Sequence, residues 1–360
     1  MKFVHIADMH FDSPFSAYTD KQNFGKIRRL EQRNIFEKII NYIKINKIPY
    51  FFIAGDLYEH KCVRQSTIEY INSLFKTIPN TKIFITPGNH DPFLKNSFYS
   101  TYNWNQNVTI FNGKLSQISL DGVNVFGYGF TDFYSDRVNL NSLSLEKNKL
   151  NILVMHGSID SSEKLEMQYN PISHKELESI GFDYVALGHI HKRNFFNEDE
   201  NKNNKIIYPG STISLGFDEL GSHGMIVGDI TKENLKLKFI PLDPKTFEEM
   251  ELNVTDTLSE DELIQEINNL TLDENVYYKI ILTGKRKFEI DVNNIKKFII
   301  QENIIKIKNK TKPDFDIEEL SKKSTLSRNV CKRNIRRNAK KSSRCRRFKW
   351  YFRNRLRNFR

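Results

Sequence analysis

Before residue 192 the chain carries five short apolar runs, and a polar group follows each of them. Residues 3–7 (FVHIA) lead into Asp8, and residues 50–54 (YFFIA) into Gly55 and Asp56. Residues 83–86 (IFIT) lead into Pro87-Gly88-Asn89-His90-Asp91. Residues 152–155 (ILVM) precede His156-Gly157, and residues 184–187 (YVAL) precede Gly188-His189-Ile190-His191. Runs this short, apolar on both faces and bounded by Gly or Pro, predict strands of a buried sheet. Residues 27–46 have apolar positions at helical spacing and stop before Pro49, which predicts a helix. Strand, helix and strand in succession imply an α/β fold. Polar residues at the C-terminal ends of such strands gather on one edge of the sheet, where α/β folds hold ligands.

Further along, residues 205–209, the Gly210-Ser211 turn and residues 225–227 read as strands and turns completing a second sheet. The pattern changes near residues 241–244. Strands are predicted at 250–254, 277–282 and 304–307, with helices at 259–270 and 292–300. That stretch contains no candidate ligand histidine and reads as a small separate α+β module in the position of a cap.

Composition agrees with a folded protein. Hydrophobic residues at 39% and aromatics at 12% allow a sizeable core and exclude wholesale disorder. No apolar run approaches the ~18 residues of a membrane span. Asp8 and Asp12 interrupt the segment where a secretory core would lie, and Cys62, Cys331 and Cys345 are too few for a disulfide framework. The expectation is a cytoplasmic chain of two domains, with no role for a membrane.

The net charge of +11 suggests a nucleic-acid binder, but its distribution removes most of that inference. Residues 322–360 hold 17 Lys and Arg and no acid, so 38 basic residues face 44 acidic ones in 1–321, a net of −6. The tail reads as a basic arm or as a shifted reading frame. With AT-rich codons from Asn329, reading one nucleotide later yields Met-Phe-Val-Lys-Glu-Ile-Leu-Glu-Glu-Met-Gln-Lys, an ordinary amphipathic helix. A genuine basic arm seldom hides a good helix in its neighbouring frame, so residues 322–360 read as a frameshift product, disordered and uninformative about function.

The chemistry lies at the strand ends. Asp8 and His10 share one loop, Asp56 follows a glycine, Asn89 and His90 sit in a Pro-Gly turn, and His156, His189 and His191 complete the set. Carboxylate, imidazole and amide donors without thiolate suit two divalent transition ions, Mn²⁺ or Fe²⁺ ahead of structural zinc. A pair of such ions can clamp the attacking and leaving oxygens of a phosphoryl transfer. A lone histidine after a strand is usually structural, and His5, inside the first run, reads as a hydrogen-bonded core residue. His174 and His223 read as surface or turn positions, and Asp12 as either a supporting carboxylate or a helix cap.

These motifs, Asp8/His10, Gly55-Asp56, Gly88–Asp91, His156-Gly157 and Gly188–His191, resemble the calcineurin-like metallophosphoesterases over roughly residues 1–245. Within them, ADMHFDSPF, AGDLY, DYVALGHIHK and YPGS resemble the SbcD-type DNA repair exonuclease branch, closest to the bacterial YhaO-like group. The resemblance implies a four-layer α/β/β/α sandwich with two mixed sheets (1–245), an α+β capping domain (246–321) and then the tail (322–360). It implies Asp8, His10 and His191 as ligands of one ion, Asn89, His156 and His189 as ligands of the other, and Asp56 as the bridge. His90 resembles the histidine that protonates the leaving oxygen, with Asp91 as its orienting partner. One position departs from the pattern. The branch's nucleases place a second histidine three residues after the bridging aspartate, where this chain has Glu59, with His60 one residue later.

The expected activity is a metal-dependent DNA exonuclease or endonuclease, a homodimer working with an SMC-like ATPase of the SbcC type that docks beyond residue 319. A phosphodiesterase or phosphatase for a small or nucleotide substrate is the alternative within enzymes, because the metal centre does not itself select DNA. A regulatory protein with a vestigial site is disfavoured by the complete ligand set.

Overall fold

The computed structural model describes residues 1–15, 23–140, 143–160, 169–194 and 204–314. The basic tail and its frame lie outside the described residues. Chain contacts separate two units: Met1–Glu248 with Asp273–Tyr278, and Glu249–Leu272 with Lys279–Arg360.

The first unit opens with β1 (Lys2–Ile6), α1 (Phe24–Ile45), β2 (Tyr50–Ile53), α2 (Gln65–Lys76) and β3 (Lys82–Ile85). A short helix α3 (Phe98–Thr101) and strands β4 (Val108–Ile110), β5 (Ser116–Leu120) and β6 (Val123–Tyr128) follow. Then come β7 (Leu150–His156), α4 (His174–Ile180), β8 (Tyr184–Gly188), β9 (Ile206–Ile207), β10 (Gly224–Ile230) and β11 (Leu235–Pro241). One sheet runs β11-β10-β1-β2-β3-β4 and the other β5-β6-β7-β8-β9. Both are mixed: β1 to β4 pair in parallel while β10 joins β1 antiparallel, and β5 alone is antiparallel in the second sheet.

The strands are apolar on both faces because each face meets a different layer. Val4, Ile6, Phe51, Ile53, Ile83 and Ile85 pack on α1 and α2, through Ile35, Phe36, Ile39, Ile68 and Phe75. The alternate residues Phe3, Phe52 and Phe84 point the other way and meet Val125, Ile152, Val154 and Tyr184 of the second sheet. That sheet's outer face, Leu153, Met155, Val185 and Leu187, is covered by Leu177 and Phe182 around α4. Helix, sheet, sheet and helix therefore stack as the four expected layers.

The second unit contains α5 (Glu260–Asn268), α6 (Val292–Phe298), β15 (Ile304–Asn309) and most of β12 (Thr246–Asn253) and β13 (Val276–Thr283). The sheet order is β12-β13-β15, and a two-stranded ribbon pairs β14 (Lys285–Arg286) with β16 (Lys312–Pro313). Both helices begin at side-chain caps, Ser259 accepting from the Glu262 N–H and Asp291 from Asn293 and Asn294.

Two sequence expectations change. The five polar-ended strands do not share a sheet: β1, β2 and β3 lie in one, β7 and β8 in the other. Residues 225–227 do not complete the second sheet but sit in β10, covering the open side of β1. Apolar runs buried on both faces look alike in either sheet, so periodicity cannot assign them. Among the described residues, no helix is long and apolar enough to cross a membrane.

His5 is one polar tie between the sheets. Fully buried on β1, its Nδ1 lies 2.9 Å from the Tyr184 hydroxyl and its Nε2 3.2 Å from the Leu187 carbonyl. Nε2–H donates to the carbonyl and Nδ1 accepts, so the ring is neutral. Burial lowers its pKa from 6.5 to about 3, against a smaller opposing effect of the Leu187 bond. Between those values the unfolded chain binds a proton that the folded chain refuses, so this group's stability is present above pH 6.5 and lost as the pH falls. We expect His5→Gln to reduce the slope of unfolding free energy against pH by about 1.4 kcal/mol per unit between about pH 4 and 6. Denaturant titrations at several pH values measure it; an unchanged slope would show that the ring protonates while folded.

Candidate metal centre

The parallel strands of both sheets deliver their C-terminal ends to one place. At Gly188 an added Cβ would come within 1.8 Å of the Ala54 carbonyl oxygen, so the ends of β8 and β2 meet at a distance only glycine permits. Gly88 is equally constrained: a Cβ there would lie 2.3 Å from Asp56 Oδ1.

The loops that follow are bent in an uncommon way. Asp8, His10 and Asp56 adopt φ of 52°, 50° and 52°, and His189 adopts 99°. A non-glycine residue in this region costs on the order of 1–3 kcal/mol, and such residues gather where function requires them. Backbone bonds hold the loops together: the His10 N–H donates to the Asp56 carbonyl (2.9 Å) and the Asp8 N–H to that of Gly55 (3.1 Å). The His189 N–H donates to the Asp8 carboxylate at 3.1 Å, tying the second sheet to the first.

Three overlapping groups of ligand atoms result, on two sides of Asp56. Asp8, His10 and His191 bring ligand atoms within 4.8 Å of one another, as do Asp8, Asp56 and His156, and His10, Asp56 and His90. Asn89 Oδ1 lies 2.9 Å from His156 Nε2 and 3.2 Å from His189 Nδ1. Asp56 stands between the clusters, its Oδ2 3.8 Å from His10 Nε2 and 3.4 Å from His156 Nε2. Its Oδ1 accepts the His90 N–H at 2.8 Å. The structure thus brings together every residue singled out as a ligand.

The donor set fits cations for a specific reason. His10 Nδ1 is 2.8 Å from Glu59 Oε1, and His191 Nδ1 is 2.5 Å from Glu219 Oε1. Carboxylates only accept, so each ring carries its proton on Nδ1. The two Nε2 lone pairs then face each other at 3.2 Å. His156 repeats the arrangement: Nδ1 donates to the Ala54 carbonyl at 2.9 Å, and Nε2 faces the oxygens of Asn89 and Asp56. Acceptors converging on acceptors are stable only around a positive charge.

The electrostatics point the same way. Burial pulls His156 and His191 down, but Asp56 and Asp8 at the first, and Glu219 with Asp8 at the second, raise both to about 9. Burial would raise Glu59 and Glu219, yet the bonds of Glu59 to His10 and His90, and of Glu219 to His191, hold each at about 2. A site that attracts protons so strongly attracts metal ions in their place.

Asp91 departs from its expected role. Its buried carboxylate accepts from the N–H groups of Asp56 (3.1 Å), Leu57 (2.7 Å) and Gly88 (2.6 Å) and from the Tyr99 hydroxyl (2.6 Å). It anchors the two loops, while His90 Nδ1 turns to Glu59 Oε2 at 3.0 Å. His60 faces Phe133 instead, with ring centroids 6.1 Å apart. Asp12 serves α2, accepting from Arg64 N–H and the Thr67 hydroxyl. His174 is half-exposed beside Glu178. His223, read as a turn residue, is buried and meets Ser211, whose hydroxyl donates to Glu219, so it supports the His191 side of the centre. Glu219 carries no motif of its own, and only the fold brings it to His191.

Comparison with known proteins bears on the same residues. Residues 1–193 match the calcineurin-like phosphoesterase family. The chain is 24% identical to the metallophosphoesterase YhaO of Bacillus subtilis over 282 residues, 75% of this chain and 67% of that protein. It is 26% identical to the SbcD component of nuclease SbcCD from Staphylococcus saprophyticus over 295 residues, 72% and 74% of the two chains. A solved dimetal phosphatase from Danio rerio aligns at 11% identity with a TM-score of 0.38, covering 66% of this chain and 95% of that one. The chain belongs to the calcineurin-like phosphoesterase family and is a metallophosphoesterase.

Asp56→Asn removes the carboxylate that lies between His10 and His156 while preserving an oxygen for the His90 N–H. We expect the purified protein to hold two transition ions per chain and the variant far fewer, both ions weakening together. Metal analysis by plasma emission decides it, full occupancy in the variant counting against a shared position.

Proposed function

We propose that this metallophosphoesterase is a DNA nuclease, an exonuclease or endonuclease of DNA repair acting with an SMC-like ATPase of the SbcC type. The observation that carries the hydrolytic part is the double cluster of facing acceptors with Asp56 between its halves. DNA as substrate and an ATPase as partner are supported by the relative named as the SbcD component of an SbcCD nuclease and by the SbcD-like motifs. A second unit following the phosphoesterase unit gives extended DNA a further surface to touch. The reading includes a homodimer in the cytoplasm.

Asp8, His10 and His191 would hold one ion, Asn89, His156 and His189 the other, with Asp56 shared. Mn²⁺ is the preferred ion and Fe²⁺ the alternative, on the all-nitrogen-and-oxygen donor set. Such a pair supplies Lewis-acid stabilisation of phosphoryl charge and a water of lowered pKa. The chain's own residues do the rest. His90 stands half-exposed beside the cluster, its ring edge-on to His10 at 4.7 Å and its backbone fixed on Asp56. From there it gives a proton to the departing oxygen.

A second reading, a phosphodiesterase or phosphatase for small or nucleotide substrates, is favoured by charge. The net of −6 over residues 1–321 is unhelpful for duplex binding, which draws much of its affinity from phosphate neutralisation. Hydrolysis of linear duplex, single-stranded DNA and bis-p-nitrophenyl phosphate, with Mn²⁺ and with EDTA, separates the two. The nuclease reading requires Mn²⁺-dependent degradation of DNA; activity confined to the small ester supports the second.

His90→Ala should keep its metal content while hydrolysis falls by roughly 10²–10⁴-fold, the usual weight of a general acid–base group. The loss should be greater for alkoxide leaving groups than for p-nitrophenolate, which departs without protonation. Equal losses would remove the acid role from His90.

A further inference from the structure

Glu59 occupies the position where the nucleases of this branch carry a histidine, and its geometry gives it a different task. Its carboxylate is a fork: Oε1 lies 2.8 Å from His10 Nδ1, and Oε2 lies 3.0 Å from His90 Nδ1. Both rings must donate from Nδ1, since an ionised carboxylate has no proton to give. Each ring therefore keeps its Nδ1 proton toward Glu59. At His10, Nε2 lies 3.2 Å from His191 Nε2 and 3.8 Å from Asp56 Oδ2; at His90, Nε2 is the nitrogen that must carry the second proton, the one given to the leaving oxygen.

The fork is rigid because its backbone is tied to both loops it serves. The Glu59 N–H donates to the Phe11 carbonyl, next to His10, at 3.0 Å. The N–H of the following residue, His60, donates to the His90 carbonyl at 2.9 Å. The Glu59 carbonyl accepts from Cys62 (2.9 Å) and Val63 (2.8 Å), closing a tight turn behind it. The two rings it holds stand edge to face, 86° apart.

We propose that Glu59 is a positioning residue shared by His10 and His90, so that one carboxylate sets both a ligand of the first cluster and the leaving-group acid. A histidine at this position could touch the substrate itself; Glu59 acts through His90 instead. This deepens the functional reading above and rests on it for the acid half.

Glu59→Gln tests it without changing size. The amide offers one acceptor and one donor, so it can serve only one ring in its present tautomer; the other must turn or move its proton. Glu59→Asp keeps the charge on a shorter arm. The full chain carrying each change is compared with wild type by long-range ¹H–¹⁵N histidine spectra without metal, by metal content, and by hydrolysis of bis-p-nitrophenyl phosphate and a dinucleotide with Mn²⁺. We expect Nδ1–H on His10 and His90 in wild type and its loss from one of them in Glu59→Gln. Dinucleotide hydrolysis should fall about 10–100-fold, the usual effect of losing a group that orients a ligand. The aryl ester should suffer less, and Glu59→Asp should restore part of the loss. Placed on His90→Ala, Glu59→Gln should cost much less than it does alone.

Unchanged ring tautomers in Glu59→Gln, or equal losses for both substrates that add to those of His90→Ala, would overturn the proposal. The spectra decide the positioning role even where wild type hydrolyses neither substrate and the functional reading itself falls. Loss of Nδ1–H from either ring in Glu59→Gln then upholds the fork, and unchanged rings reject it.

Discussion

Lone pairs aimed at lone pairs dominate this molecule. The Nε2 atoms of His10 and His191 face each other at 3.2 Å, and His156 Nε2 faces the oxygens of Asn89 and Asp56. Such atoms repel one another unless a proton or a metal cation sits between them, which is why burial is outweighed and His156 and His191 are raised to about 9. The scaffold must therefore impose the arrangement. It does so with two stacked sheets whose strand ends close on one another at Gly188 and Ala54, and with left-handed backbone at Asp8, His10, Asp56 and His189. Strain on the order of 1–3 kcal/mol per residue is carried by the three buried apolar clusters packed between the four layers.

Around the inner atoms lies a ring of groups whose task is to fix proton positions. Glu59 and Glu219 hold Nδ1 of His10 and His191, whereas His156 leans on a neutral carbonyl. The side containing Asp8 is thus backed by two further negative charges, and the side containing Asn89 is not. Asp91 serves differently, committing its carboxylate to the backbone of Asp56, Leu57 and Gly88 and to Tyr99. Proximity in sequence made it the natural partner of His90; in space it faces away from that ring into the protein.

The inner residues were legible because their motifs are local: a strand ends, the chain turns, and the ligand stands within a few residues. Asp8, Asp56, Asn89, His156 and His191 are each visible this way. So were the first helix and the alternation of strands and helices in residues 246–313, whose periodicities are strong. What was hidden depends on distance along the chain. Glu219 meets His191 from 28 residues away and His223 meets Ser211 across a loop, and neither carries a local signature. Sheet membership was hidden for another reason: Phe3 and Phe52 face one layer while Val4 and Phe51 face another, and a run apolar on both sides does not say which sheet it joins.

Substrate choice must be settled outside the metal cluster, since the same facing acceptors would serve any phosphate ester. Two features of this chain disfavour DNA. The body is acidic on balance, and Glu59 places a fixed carboxylate between His10 and His90, where a histidine would have offered a donor to the phosphate. Both weaken a long polyanion more than a small ester, because repulsion accumulates over every phosphate within a Debye length of ~8–10 Å. Against them stand the SbcD-like motifs of the chain. If DNA is the substrate, its affinity must come from a local basic face or from a partner, while the cluster supplies the chemistry. A nuclease arranged this way would bind DNA weakly by itself and cleave it when another protein presents it.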